Sequence, residues 1–369
     1  MNCIIVADDL TGACDSALQF RKRGAHTLVH VQWSAPPRQW AEIDAFSTDS
    51  RDLDSREADT RIRTIARHAI DASAPATLIF KKIDSLLRGS PGREIATTLD
   101  AFGCDVGIVA PAFPEMGRIV CDGYLHVPGN CEWKPVNILE LLRLQGLEDC
   151  RHVSPGRIKE ALQHGAKYIS VDSASSEDLR AIVAEAMRCG RRVLWAGSAG
   201  LASGLADALF PERGGRICRP RGTRPVLFCI GSQHPVTIAQ LRAFSRERIA
   251  CEFSASAASQ AGIAEALVSG KHVILRVDTD ATATIRGVIS WAGALMEAVV
   301  ISGGDTVALF CRATGCEIIE IENQILDGIP WGMLRGGLVN NLAVATKSGA
   351  FGAPDALTKV TDFFTCPRN

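Results

Sequence analysis

Short apolar runs alternate along this chain with stretches of helical periodicity, and that alternation restricts the fold more than any other feature. Strands are expected near 2–8, 27–32, 42–47, 77–83, 105–110, 168–172 and 192–196, with helices near 10–22, 55–72, 91–101, 155–164, 176–189 and 198–209. Such a pattern is satisfied by a mostly parallel sheet with helices on both faces. Residues 211–225 interrupt it with three Pro, three Gly and five Arg, and read as a linker. A second run then begins, with strands near 225–230, 272–277, 298–302, 317–321 and 341–346 and helices near 235–247, 259–269, 282–296 and 305–314. The expected fold is therefore α/β with two domains, 1–215 and 222–369, each a mostly parallel sheet flanked by helices, and an active site in the interdomain cleft. No internal repeat or low-complexity tract is present.

The bulk properties exclude more than they assign. A chain of 369 residues that is 47% hydrophobic and 22% charged can bury a large core. Its net charge of −1 gives no general attraction to nucleic acid or an anionic membrane, so an anionic substrate must be held by local basic groups. The thirteen cysteines are scattered, with no CxxC and no zinc spacing, which fits buried thiols in a reducing cytoplasm. No run of about 18 apolar residues predicts a membrane span. The first residues lack the basic start of a secretory leader. Cytoplasmic location is the expectation. A homodimer is left open.

Chemistry concentrates where the expected strands end. Asp8-Asp9-Leu10-Thr11-Gly12 follows the first strand, and in open α/β sheets ligands bind at the carboxyl ends of strands. One acid there can cap the following helix. Two adjacent acids repel each other, which suggests a use such as accepting a substrate proton or holding a metal–phosphate. Asp9 is the candidate base. Asp8 is a second candidate, and Asp15 is expected on the helix surface. The segment Lys81-Lys82-Ile83-Asp84-Ser85-Leu86-Leu87-Arg88-Gly89 places Lys82, Ser85 and Arg88 as an anion cradle; the alternative is an internal Lys–Asp ion pair with a turn. Thr48-Asp49-Ser50-Arg51 can add Arg51 to the same pocket. Arg118, after the Pro-stiffened loop 111–117, can face an anion or solvent equally well.

The second half carries three strand–loop–helix turns rich in glycine: Gly231-Ser232-Gln233-His234, Ser302-Gly303-Gly304-Asp305-Thr306 and Lys347-Ser348-Gly349-Ala350. Glycine lets backbone approach phosphate closely, and a helix N-terminus favours its charge. One such turn is routine, whereas three in one domain point to a nucleotide. Neither GxxxxGK[ST] nor a strand–GxGxxG–helix unit occurs. His234 is expected to hydrogen-bond locally at a helix start.

Taken together, ADDLTGA (7–13), TDSR (48–51), KKIDSLLRG (81–89), APAFPEMGR (110–118), GS (231–232), SGGDT (302–306), GIPWG (328–332) and KSGAFG (347–352) resemble the four-carbon acid sugar kinase family over nearly the whole chain. The resemblance implies a sugar-acid-binding domain over 1–215 and an ATP-binding domain over 222–369. It implies that Ser232, Gly303, Gly304, Asp305, Thr306 and Gly349 contact ATP. Mg²⁺ would arrive with the nucleotide, and the products would be 4-phosphates of threonate, erythronate or 3-oxo-tetronate. The chain departs from the family pattern after Gly123, where relatives carry a longer segment with an Asp-Pro…Pro pattern. Two other classes remain to be weighed: a non-catalytic sensor of sugar acid or nucleotide, and a sugar-acid isomerase or aldolase using Lys82.

Overall fold

The computed structural model describes residues 2–71, 78–129, 133–213, 220, 222–256, 260–278 and 280–365. Part of the expected linker, residues 214–219 and 221, therefore lies outside the described residues. The chain divides into two compact units, residues 1–27 with 33–214 and residues 28–32 with 215–369.

The elements up to residue 209 are β1 (Cys3–Ala7), α1 (Leu10–Lys22), β2 (Thr27–His30), β3 (Ile43–Ser47), α2 (Ser55–Asp71), β4 (Leu78–Lys82), α3 (Pro91–Ala101), β5 (Val106–Ala110), β6 (Ile119–Cys121), β7 (Tyr124–His126), β8 (Val136–Asn137), α4 (Ile138–Leu144), β9 (Cys150–Val153), α5 (Ile158–Gln163), β10 (Tyr168–Val171), α6 (Ser176–Met187), β11 (Val193–Gly197) and α7 (Ala199–Leu209). In the first unit the strands lie in the order β3-β1-β4-β11-β5-β10-β9, all parallel. β1, β3, β4 and β5 are buried along their whole length; β1 and β5 therefore read as continuous apolar runs rather than as alternation, while β3 and β4 also bury Asp44, Lys81 and Lys82. β9 was invisible in the sequence because Cys-Arg-His-Val at a sheet edge has no apolar run. A separate antiparallel sheet, β6-β7-β8, follows the Pro-rich loop and includes both sides of Gly123.

The second unit contains β12 (Val226–Ile230), α8 (Pro235–Glu247), β13 (Ala250–Ser254), α9 (Gln260–Val268), β14 (His272–Arg276), α10 (Thr282–Ala292), β15 (Ala298–Ser302), α11 (Gly304–Thr314), β16 (Ile318–Leu326), β17 (Ile329–Arg335), β18 (Ala343–Lys347) and α12 (Ala356–Thr365). Strands β13, β14, β12, β15 and β18 are parallel, in that order. β17, β16 and then β2 continue the sheet antiparallel. The strand expected at 27–32 is thus an antiparallel one, pairing Leu28–His30 with Ile318–Glu320. The core packs Phe228, Phe244, Trp331, Leu357, Val360 and Phe364 between sheet and helices.

Three elements of this unit were not expected. β13 is a short edge strand with Glu252 exposed. α12 carries apolar residues at 356, 357, 360 and 364, a helical spacing legible in retrospect. β17 is masked by Gly-Ile-Pro-Trp-Gly. Its turn, Asp327-Gly328 with Gly328 at φ 71°, is the Asp-Gly signal of a two-residue hairpin. Within β17 Gly332 is required for space, since a Cβ there would stand 2.1 Å from the Glu320 carbonyl oxygen.

This close approach is testable. Gly332→Ala is expected to cost about 3 kcal/mol, read as a lowered urea midpoint, because rigid backbone must move. Gly270→Ala, at φ 74° but with nothing within 4 Å of a Cβ, is expected to cost about 1 kcal/mol. Equal costs would contradict the packing of β16 on β17.

Candidate active site

At the carboxyl edge of the first sheet, the adjacent strands β3, β1 and β4 deliver three polar loops. Asp8 and Asp9 follow β1. Arg51 follows β3, in a loop tied to β1 by Thr48 N–H donating to the Ala7 carbonyl (2.8 Å) and Ser50 N–H donating to the Asp8 carbonyl (2.9 Å). Lys82 ends β4, and Asp84 opens the turn that leads to α3.

Arg51 joins these loops. Its Nε donates to Asp8 Oδ2 at 2.7 Å, and its Nη2 lies 3.1 Å from Asp9 Oδ1 and 3.5 Å from Asp84 Oδ2. Asp84 in turn accepts a fork from Arg88, Nε at 3.0 Å and Nη2 at 2.6 Å, and takes the Leu86 N–H at 2.9 Å. The Arg88 side chain is 61% exposed, with its fork committed to Asp84.

Asp9 is the N-cap of α1: its Oδ1 accepts the Gly12 N–H at 2.9 Å, and its Oδ2 accepts the Thr11 hydroxyl at 2.6 Å. The cap and the site are thus one feature. Burial opposes the Asp9 charge, but Arg51, Lys82 and these two donors outweigh it and hold its pKa below the ordinary value. The same balance, with Arg88 and Arg51 opposing burial, holds Asp84 well below the carboxylate range. Asp8 differs. Its Oδ1 is buried with no hydrogen-bond partner, and burial, aided by Asp9, raises its pKa despite Arg51.

Lys82 stands apart. Its side chain makes no hydrogen bond or ion pair among the described residues, although its charge reaches Asp8, Asp9, Asp15 and Asp84. The neighbouring Lys81 faces the opposite way and is locked 2.6 Å from Glu94 in a buried pair. Glycine at position 12 leaves room for the site, since a Cβ there would stand 2.8 Å from Lys82 Nζ. Ser85 is half-buried, and its hydroxyl makes no hydrogen bond among the described residues. Arg118 is half-buried, donates to the Met116 carbonyl at 2.6 Å, and feels the charges of Asp84 and Asp15.

Asp15 overturns its expected place on the helix surface. It is 9% exposed, and its Oδ1 has no partner. Burial pushes its pKa up to about 6, against the pull of Lys82. Its spacing from Thr11, four residues along α1, would have revealed that it shares the face of the site.

In the second unit the three glycine loops converge. β12, β15 and β18 are neighbours, so their carboxyl ends lie side by side. Gly231 N–H and Ser232 N–H both donate to the Ser302 carbonyl at 3.2 Å, and Gly303 N–H donates to the Lys347 carbonyl at 3.1 Å. A Cβ on Gly231 would stand 2.1 Å from Thr306 Oγ1, and one on Gly349 would stand 2.1 Å from Ser232 Oγ. Gly303, at φ 109°, precedes α11, whose first turn holds Gly304, the exposed Asp305 and the buried Thr306. Ser232, Gly303, Gly304, Asp305, Thr306 and Gly349 therefore lie on one edge. His234 caps α8, its Nδ1 accepting the Val236 N–H at 3.2 Å. No group of three or more His, Cys, Asp or Glu that could hold a metal ion occurs among the described residues.

Comparison with known proteins bears on both halves. A sugar-binding N-terminal domain family matches residues 3–141 and 135–205, and a nucleotide-binding C-terminal domain family matches residues 277–357. The chain belongs to the four-carbon acid sugar kinase family. The first match contains the whole acid and lysine cluster. The second contains the loops after β15 and β18 but not Ser232. Among curated relatives, a D-threonate kinase of Bordetella bronchiseptica is 28% identical, covering 96% of this chain and 95% of the relative. A D-erythronate kinase of Heliobacterium modesticaldum is 25% identical, covering 98% and 97%. A 3-oxo-tetronate kinase of Pseudomonas fluorescens is 28% identical, covering 96% and 95%. The solved structure of a Salmonella typhimurium protein matches with a TM-score of 0.80 at 19% identity, over 99% of this chain and all of that one. That of a Haemophilus influenzae protein matches with a TM-score of 0.75 at 19% identity, over 98% and 100%. These two likenesses speak to the fold alone.

The buried acid has a measurable signature. An unfolded chain ionises Asp15 near pH 4, whereas the folded chain does so near 6, so stability falls as pH rises through that window. Asp15→Asn is expected to be more stable than the parent chain by about 1–3 kcal/mol at pH 8. The gap should close by about pH 4. Urea unfolding across pH checks this, and a pH-independent gap would refute it.

Proposed function

We propose that this chain transfers the γ-phosphoryl group of Mg·ATP to the terminal hydroxyl of a four-carbon sugar acid, of the threonate, erythronate or 3-oxo-tetronate class, giving its 4-phosphate and ADP. The kinase class follows from family membership. The observation that carries the acceptor reading is Lys82: an ammonium with no protein partner among the described residues, set among carboxylates at a strand-end edge. A polyhydroxy acid needs both kinds of group, a cation for its carboxylate and acceptors for its hydroxyls.

In this reading Lys82 pairs with the substrate carboxylate and the Ser85 hydroxyl donates to it. Arg88, its fork committed to Asp84, offers only its outer N–H groups and contributes less. Asp9 accepts the hydrogen bond of the attacking hydroxyl, with Asp8 beside it and Arg51 fixing both. As the hydroxyl oxygen bonds to the γ-phosphorus, the bond to the β–γ bridging oxygen breaks, ADP carries that electron pair away, and the hydroxyl proton passes to Asp9. An Asp with a depressed pKa suits a loose transition state, in which the nucleophile gains little charge until late. The loops at Ser232, Gly303–Thr306 and Gly349 hold the phosphates through backbone N–H groups and the start of α11. Mg²⁺ enters as part of the nucleotide, held mainly by phosphates and water.

ADP release from Mg·ATP, measured against D- and L-threonate, D- and L-erythronate and 3-oxo-tetronates, tests the proposal. Release that depends on one acid supports it and names the substrate; release with none, beside tight ATP binding, refutes the acceptor class. Asp9→Asn keeps the helix cap, because Asn caps as well as Asp. It is expected to lower kcat by about 10²–10⁴ while nucleotide binding stays unchanged. Lys82→Met is expected to raise KM for the acid by about 10- to 100-fold with KM for ATP little changed, and Arg88→Ala to do so less. A larger effect at Arg88 would return the carboxylate to that residue.

A further inference from the structure

Lys347 ends β18 and is 1% exposed, yet no acid pairs with it among the described residues. Four oxygens surround its ammonium instead: the carbonyls of Ser348 at 2.8 Å, Phe351 at 3.0 Å and Gly349 at 3.3 Å, and Thr237 Oγ1 at 3.3 Å. A cage of uncharged carbonyl and hydroxyl oxygens at these distances is how a protein replaces the hydration shell of a potassium-like ion. Burying a lysine charge without a carboxylate is expensive, and burial pushes the Lys347 pKa down to about 8.

The arrangement has a consequence for the loop that follows. Gln240 Nε2 donates to the carbonyls of Phe351, Gly352 and Ala353 at 3.0, 2.9 and 3.0 Å, and Thr237 Oγ1 donates to that of Gly349 at 2.8 Å. Every carbonyl from Ser348 to Ala353 except that of Ala350 is thus drawn to a buried donor. In a trans peptide the N–H points opposite to the carbonyl of the preceding residue. With the Ser348 and Gly349 carbonyls turned inward, the N–H groups of Gly349 and Ala350 point outward, and neither finds a partner among the described residues. A Cβ on Gly349 would collide with Ser232 Oγ, so these amides sit beside the loop that follows β12.

We infer that Lys347 is a tethered monovalent cation, a positioning residue whose ammonium holds the 348–353 carbonyls inward so that the amides of Gly349 and Ala350 are presented to the phosphates of ATP. This rests on the nucleotide reading of that edge. Lys347→Ala is expected to raise both KM for ATP and the Kd for ADP by about tenfold or more, with KM for the sugar acid unchanged within about twofold. NH₄⁺ or K⁺ should restore much of the loss in Lys347→Ala, whereas tetramethylammonium at equal ionic strength should not. Lys347→Met, which fills the space without charge, should show the same loss and no rescue, and the parent chain should be indifferent to the cation. Thr237→Val, which removes one oxygen of the cage, should raise KM for ATP alone.

Several results would overturn the inference: normal ATP parameters in Lys347→Ala, equal rises in both KM values, or no response to small cations. Should Lys347→Ala not fold, an unchanged KM for ATP in Thr237→Val overturns it. A parent chain that binds no ADP by calorimetry removes the nucleotide reading as well. A parent chain that binds ADP beside an unaffected Lys347→Ala removes only the role of Lys347.

Discussion

Arg51 is the group on which the polar edge of the first unit depends. Asp8, Asp9 and Asp84 come from two separate loops and are all largely buried, and without a cation among them their repulsion would drive the loops apart. Burial opposes the Arg51 charge, but the acids outweigh it and raise its pKa further. Breaking such a cluster by removing its shared cation costs far more than any surface ion pair is worth. The loops also store strain. Asp49 at φ 49° and Leu87 at φ 59° occupy a region that non-glycine residues rarely adopt. A Cβ on Gly89 would press within 3.1 Å of the Arg51 carbonyl oxygen. The backbone is bent to bring three carboxylates to one guanidinium.

The second unit meets a related problem by other means. A strand-end edge that presents backbone donors needs outward N–H groups and no crowding side chains. Gly231, Gly303 and Gly349 supply the space, and buried donors turn the carbonyls of the last loop away. Both units therefore use a cation to shape loops at the carboxyl ends of adjacent parallel strands. Arg51 does so through carboxylates, whereas Lys347 does so through carbonyls and leaves the amides of Gly349 and Ala350 without a partner among the described residues. The difference follows from what each partner presents once it is satisfied.

Much of this was legible in the sequence because parallel strands buried on both faces read as unbroken apolar runs. Cys3–Ala7, Leu78–Phe80 and Ala298–Ile301 carry that signal plainly, and the polar residues that follow each run mark the edge of the sheet. The elements not legible in the sequence lack such a signal or have it overridden by context. β9 and β13 are edge strands with mixed sequences. β17 contains Gly and Pro that usually end strands, and only the Asp327-Gly328 turn betrays it. The side-chain pairings were harder still. Nothing in Thr48-Asp49-Ser50-Arg51 says that Arg51 will contact three protein acids, because partners 33 to 43 residues away are set by strand order. Asp15 was misplaced because a charged residue on a helix is normally solvated, and here that helix is buried along nearly its whole length.

The way charge is shared explains why Lys82 has no direct partner among the described residues. The acids of the first unit outnumber what any single arginine can satisfy, and a lysine among them would ordinarily close into a salt bridge. Arg51 and Arg88 take the direct contacts, bonding Asp8, Asp9 and Asp84 at short range. Lys82 is left to act at longer range, lowering the charge cost of its neighbours without touching them. An ammonium held in that way keeps its hydrogen bonds to give. In the proposed reading it accepts a substrate carboxylate without first surrendering a protein partner, and the two arginines keep the carboxylates in place while it does so. Asp15, with an unpartnered buried oxygen within reach of the same lysine's field, lowers stability at neutral pH. That is the pattern of a site in which stability is given up for groups kept ready to bind.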